Sequence, residues 1–164
     1  MIKKLLLVLL AAFVIIQFFR PTLNNSEDET YAMVKKYEIP EAVHAILKTS
    51  CIDCHSNTTT YPWYAKVQPV AWWLDGHVKD GKRHFNFSEF TNRRIAIQNH
   101  KFEELVEMVE DHEMPLPSYT YLGLHSEAKL SDDQRIVLTD WAKAQMKLLK
   151  EQYPADSLVL RRRR

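Results

Sequence analysis

Only three glycines occur in the 164 residues of this chain, and that scarcity restricts its fold more than any other feature. Two-residue hairpins and Gly-rich phosphate cradles both need backbone at positive φ, which glycine adopts at little cost and other residues resist. A chain so poor in glycine is expected to be built of helices. Its 46% hydrophobic content suits one folded core rather than a disordered segment. Lys and Arg total 22 against 21 Asp and Glu, and no basic stripe crosses the body, so nucleic acid is set aside as a partner.

The chain opens with MIKKLLLVLLAAFVIIQFFRP, two lysines followed by an apolar run from Leu5 to Phe19. The run ends in bulky IIQFF rather than in a small-residue cleavage site, and it is slightly short of the roughly 20 apolar residues that a stable span wants. It is apolar on every face and flanked by charge, which favours an uncleaved anchor over a core helix. On that reading residues 1–20 form a single-pass segment of the inner membrane, with Lys3 and Lys4 in the cytoplasm and everything after Arg20 facing the periplasm. Residues 21–38 then read as a polar tether with a short helix through DETYAMVKKY, opened by a possible capping box of Ser26 and Glu29. Residues 39–150 make the folded domain, and residues 151–164 a basic tail ending in four arginines.

Within the domain, Pro40 starts a helix through EAVHAILKTS that leads straight into Cys51. PVAWWLDGHVKDG reads as a short helix between Pro69 and Gly81, with Gly81 as its stop. Ile95, Phe102, Leu105, Val106 and Val109 recur at helical spacing, and the Glu residues between them form a solvated outer face. MPLPSYTYLGLHSEAKL has two prolines and a glycine and reads as a long loop. Ser131 with Gln134 makes a capping box, opening a last helix with Ile136, Val137, Trp141, Ala144 and Leu148 along one stripe.

The chemistry is concentrated in CIDCH, which holds the only two cysteines, Cys51 and Cys54, with His55 directly after them. C-x-x-C-H is the attachment sequence of c-type haem. Positions i and i+3 share a helix face, so both thiols can reach the two vinyl groups of one porphyrin edge, while the next residue aims its imidazole at the iron. A disulfide closing so small a loop constrains the unfolded chain little. Zinc lacks a second ligand pair at finger-like spacing, and a thioredoxin-like pair expects a leading strand where a helix stands. One covalent haem c is therefore expected, with Cys51 and Cys54 as anchors and His55 as an axial ligand. For the sixth position Met114, in the proline-stiffened EMPLPSY loop, is the first candidate, since thioether ligation suits electron transfer, and His77 is the runner-up. Met108 reads as core filling. Trp63, Tyr64, Trp72, Trp73, Phe85 and Phe87 read equally as walls of a haem pocket and as plain core.

From Glu41 to about Met146 the chain resembles a family of small haem-binding domains with one C-x-x-C-H, exported or membrane-tethered and related in architecture to cytochrome c. The stretches that carry the resemblance are CIDCHSN, YPWYAKVQPVAWWL, HVKDGK, NFSEF, EMPLPSYTYL, LHSEAKL and LTDWA. It implies a covalent haem on Cys51, Cys54 and His55, and it makes the Met114 loop the natural source of a distal ligand. Ser126 stands where a proline is expected after His125, a departure confined to a loop. Together these readings give an all-α, cytochrome c-like domain around one haem, hung from the membrane by its first helix and passing single electrons to redox partner proteins, with no substrate chemistry of its own. The rival reading is a haem-based sensor or peroxidase-like enzyme with an open sixth site.

Overall fold

The computed structural model describes residues 1–121 and 124–160; among them the chain is helical, and its only extended pairing is an isolated bridge between Asn25 and Thr58. Seven α-helical segments follow in order: α1 (Ile2–Ile16), α2 (Glu41–Ser50), α3 (Ile52–His55), α4 (Val70–His84), α5 (Ile95–Glu110), α6 (Pro117–Thr120) and α7 (Asp132–Gln152). Short 3-10 turns lie between them, among them Phe87–Asn92 and Ser126–Ala128. The arginines at positions 161–164 lie outside the described residues.

The membrane expectation is corrected first. Among the described residues no helix is long and apolar enough to cross a membrane, so a single-pass inner-membrane anchor is not supported. The helix stops at Ile16, three residues before the apolar run does, and its 15 residues at about 1.5 Å each fall well short of a hydrocarbon core about 30 Å thick. Gln17 is the reason the helix turns there. Its side chain accepts from Gln68 N–H at 2.9 Å and donates to Gln68 C=O at 3.3 Å, while Gln68 Nε2 donates back to Phe19 C=O at 2.7 Å.

The polar stretch after it is bonded to the body rather than hanging free. Asn24 donates to Ser56 C=O and to Thr59 Oγ1, each at 2.9 Å, and accepts from Lys82 at 2.5 Å. Ser26 and Glu29 do not form a capping box. Ser26 Oγ accepts from Asp28 N–H at 3.3 Å, Glu29 accepts from Ser88 Oγ at 2.6 Å, and the only helical turn nearby is a 3-10 turn at Met33–Lys35.

The core lies where α5 packs on α7, with α2 set against α7. Phe102, Leu138 and Ala142 have no exposed surface at all, and Tyr37, Phe90 and Trp141 surround the Phe102 ring edge-on. Ser131 caps α7 as its motif predicts, accepting from Gln134 N–H at 3.2 Å while Gln134 accepts from Ser131 N–H at 2.9 Å. The buried stripe of α7 differs from expectation: Leu138, Trp141, Ala142, Gln145 and Leu149 face inward, leaving Ile136, Val137 and Leu148 at 57%, 41% and 46% exposure. That inward face also carries buried Thr139 and Gln145, so hydropathy alone does not mark it.

α4 does not stop at Gly81 but runs on to His84. Gly81 is where the helix crosses the turn that carries Cys54. A Cβ built on it would stand 2.5 Å from Cys54 O, so the absence of a side chain lets α4 lie directly against α3.

Candidate functional site

Cys51 ends α2 in a broken helical conformation (φ −130°, ψ −45°), and the chain restarts as the single turn α3, in which His55 N–H reaches Cys51 C=O at 3.0 Å. Asp53 holds the far side of the turn, accepting from Thr60 N–H at 2.9 Å and, through its carbonyl, from Thr59 Oγ1 at 2.5 Å. The two thiols are free, and burial pushes them up to about 12 at Cys51 and about 11 at Cys54. Reactive thiol-redox cysteines are held low instead, by positive neighbours or a helix N-terminus, so this pair is poorly suited to disulfide exchange.

His55 is set up as a ligand. Its Nδ1 lies 2.9 Å from Phe85 C=O, and because a carbonyl only accepts, Nδ1 carries the hydrogen and Nε2 keeps its lone pair. Burial pulls the imidazole below the usual histidine range, against the opposing pull of the Phe85 and Gly81 carbonyls, which favours the neutral, coordinating form. A histidine tied to a backbone carbonyl through its other nitrogen is the usual second contact of a metal-binding imidazole.

Cys51, Cys54 and His55 open onto a cavity of about 690 Å³, within the range of cofactor pockets. Met114, Pro115, Leu116 and Tyr119 line it too, together with Leu105, Met108 and Leu138, so the residues nominated from the sequence border one space. Met114 is delivered there by the end of α5. His112 takes a left-handed conformation (φ 61°) and turns the chain back, so that Glu113 and Met114 N–H both bond Met108 C=O at 3.0 Å. Arg135 of α7 then fastens the loop, donating from Nη1 to Val109 C=O at 2.6 Å and to Met114 C=O at 3.1 Å. Replacing Arg135 by Gln leaves both carbonyls short of a donor and is expected to cost about 1–3 kcal/mol in urea unfolding. If the loop stays as stable without the guanidinium, this clamp has no structural weight.

The donor set and the largely apolar wall fit a haem: two thiols one turn apart, a free imidazole nitrogen beside them, and a thioether across the same cavity. The model of the haem-binding domain family matches residues 11–144, most of the chain. The chain belongs to the haem-binding domain family. It is accordingly a haem-binding protein, while searches of curated proteins and of solved structures give no significant match.

In this haem-binding domain the cavity also takes in residues that the sequence did not single out. Tyr119 is one of these, and Met108, read as core filling, lines it too; His84 and His100, which as histidines are possible iron ligands from the sequence, also line it. Tyr119 could have been suspected, because it stands five residues after Met114 in the same stiff loop. His77 lines the cavity too, but its Nδ1 bonds Trp73 C=O at 3.0 Å within α4. Of the aromatic cluster, Phe85 and Phe87 line the cavity, whereas Trp63, Trp72 and Trp73 are 76%, 42% and 46% exposed. None of these three tryptophans lines the cavity. Among the described residues no group of three or more His, Cys, Asp or Glu side chains is placed to hold a bare metal ion.

Proposed function

We propose that this domain holds one haem c, sewn by thioethers to Cys51 and Cys54, and carries single electrons between redox partner proteins in the manner of a cytochrome c. The observation that carries the reading is the meeting of the CIDCH turn and the Met114 loop at one cavity. When bound, the haem supplies the one-electron couple; the chain supplies its ligands and surroundings. His55 Nε2 would ligate the iron, with the imidazole held in orientation by the Phe85 carbonyl. Met114, its loop fixed through Met108 and Arg135, would be the second iron ligand, a thioether that favours the reduced state. Leu105, Met108 and Leu138, which line the cavity, would give the ring apolar surroundings and limit its contact with water.

Met114→Ala tests this assignment. The wild-type protein is expected to show a low-spin spectrum and to resist carbon monoxide, while the variant turns high-spin, binds carbon monoxide and has a lower reduction potential. Identical spectra in the two proteins remove Met114 from the iron. Ready binding of carbon monoxide by the wild type favours the sensor or peroxidase-like reading with an open sixth site.

A further inference from the structure

The loop between α6 and α7 brings together a group of side chains that electron carriage does not use. Tyr64 Oη and His125 Nε2 are 2.5 Å apart, His125 Nδ1 lies 3.3 Å from Glu127 Oε1, and the Tyr119 ring stacks on His125 with centroids 4.2 Å apart and 7° between planes. These contacts fix the protons. An ionised carboxylate only accepts, so His125 Nδ1 carries the hydrogen and donates it to Glu127; Nε2 is then an acceptor, and the Tyr64 hydroxyl is the donor. The group joins the cavity to the surface. Tyr119 lines the haem cavity, while Trp63, edge-on to Tyr64 at 5.8 Å, is 76% exposed.

A phenol in this setting is stable at rest and primed for oxidation. Burial first, then the neighbouring Cys54 and Glu127, push Tyr64 above the usual phenol range, so it stays protonated. A phenol that loses an electron becomes a strong acid, and a base already hydrogen-bonded to it takes the proton without any rearrangement.

We propose that Tyr64, His125 and Glu127 form a redox-active tyrosine site that quenches oxygen-centred radicals born at the haem. The proposal rests on the haem reading only for the source of those radicals. The oxidant is an alkoxyl or hydroxyl radical, RO•, the class formed from hydroperoxides beside a haem. RO• takes one electron from Tyr64 and one proton from solvent and leaves as ROH. The phenolic O–H bond breaks, its proton passes to His125 Nε2 and on to solvent, and Tyr64 remains as a neutral phenoxyl radical. A surface reductant with a transferable hydrogen, of the thiol or enediol class, restores the O–H bond, so that the sum is RO• + XH → ROH + X•. Tyr119, stacked between the cavity and His125, is the through-space contact for the electron.

The test uses the full chain with its haem in two arms. In one, tert-butyl hydroperoxide is added and the sample freeze-quenched for electron paramagnetic resonance; in the other, a flash-generated ruthenium(III) polypyridyl complex oxidises the protein without haem chemistry. Both arms are expected to give a neutral phenoxyl signal, and Tyr64→Phe, which keeps the ring and removes only the hydroxyl, is expected to abolish most of it. His125→Gln is expected to slow the flash oxidation at least about tenfold, the scale of a lost positioned base. A full phenoxyl signal in Tyr64→Phe overturns the proposal, as does an unchanged flash rate in a folded His125→Gln. Should the His125 variant not fold, Tyr64→Phe decides alone. A chain without haem is silent with hydroperoxide and still gives the flash signal, so failure of the haem reading is distinguishable from failure of the tyrosine site.

Discussion

Replacing both Cys51 and Cys54 by serine is expected to give, from cells with a c-type maturation system, a protein without any haem that survives acid-acetone extraction. The two sulfurs sit at i and i+3 on one turn, and that turn is held on both sides by bonds the substitution does not touch: Leu47 C=O to Cys51 N–H at 2.9 Å before it and Asp53 to Thr60 N–H at 2.9 Å after it. The fold around the site should therefore survive, and loss of haem would report the loss of thioether chemistry rather than of structure. His55 remains in place, so haem supplied afterwards can still bind, now removable by acid. An empty apolar cavity forfeits the contacts of its walls, and a penalty of about 3 kcal/mol lowers the melting temperature of a domain of this size by roughly 6–12 °C. Extractable haem from the wild-type chain, or acid-stable haem in the double variant, would each exclude the proposed linkage.

Gly81→Ala is the second large effect, and it comes from a residue outside the ligand set. The new Cβ would stand 2.5 Å from Cys54 O, 3.2 Å from Cys54 C and 3.4 Å from Cys54 Cβ, and a backbone carbonyl inside a helical turn has no rotamer by which to move aside. α4 must then lift off α3. Phe85, four residues further on, carries the carbonyl that orients His55, so the displacement disturbs a proposed anchor and a proposed ligand together. Alanine gains about 1 kcal/mol of helix propensity over glycine, but overpacking of this kind costs typically 1–3 kcal/mol or more, and the clash decides the sign. Displacements of about 1 Å are enough to cost positioned chemistry a large factor, and covalent haem loading is expected to fall severalfold. Gly76→Ala is the internal control: nothing lies within 4 Å of its built Cβ, so the same substitution five residues earlier should be neutral or stabilising by up to about 1 kcal/mol. Equal behaviour of the two variants in thermal unfolding and haem content would contradict the close-approach account.

These two glycines also show what a sequence can and cannot carry. Gly81 reads as a helix stop because glycine so often ends helices, and nothing local reveals that Cys54, 27 residues away, passes over it. Where the information is local, it is legible. The capping box at Ser131, the helix leading into Cys51 and the amphipathic face of α5 follow from spacing alone. Where partners decide, it is not. The inward face of α7 is the one packed on α5, and buried Gln145 and Thr139 interrupt the apolar pattern that would have marked it. The first helix ends early because Gln17 finds Gln68 across 51 residues, a pairing that hydropathy cannot register. The site was readable for a different reason: the chemistry of thiols, imidazole and thioether limits which residues are worth considering, whatever the fold. The pairing of Tyr64 with His125 escaped that filter, since nothing in the sequence joins residues 61 positions apart until the 2.5 Å contact is known.

The most direct measurement is the intact mass of the mature full-length polypeptide, made in cells that install haem and denatured in acid before analysis. A single species heavier than the polypeptide by one haem, with fragments placing the addition between Cys51 and Cys54, is the expected result. A polypeptide of unmodified mass, from cells shown to load another c-type protein, would contradict the account at its root.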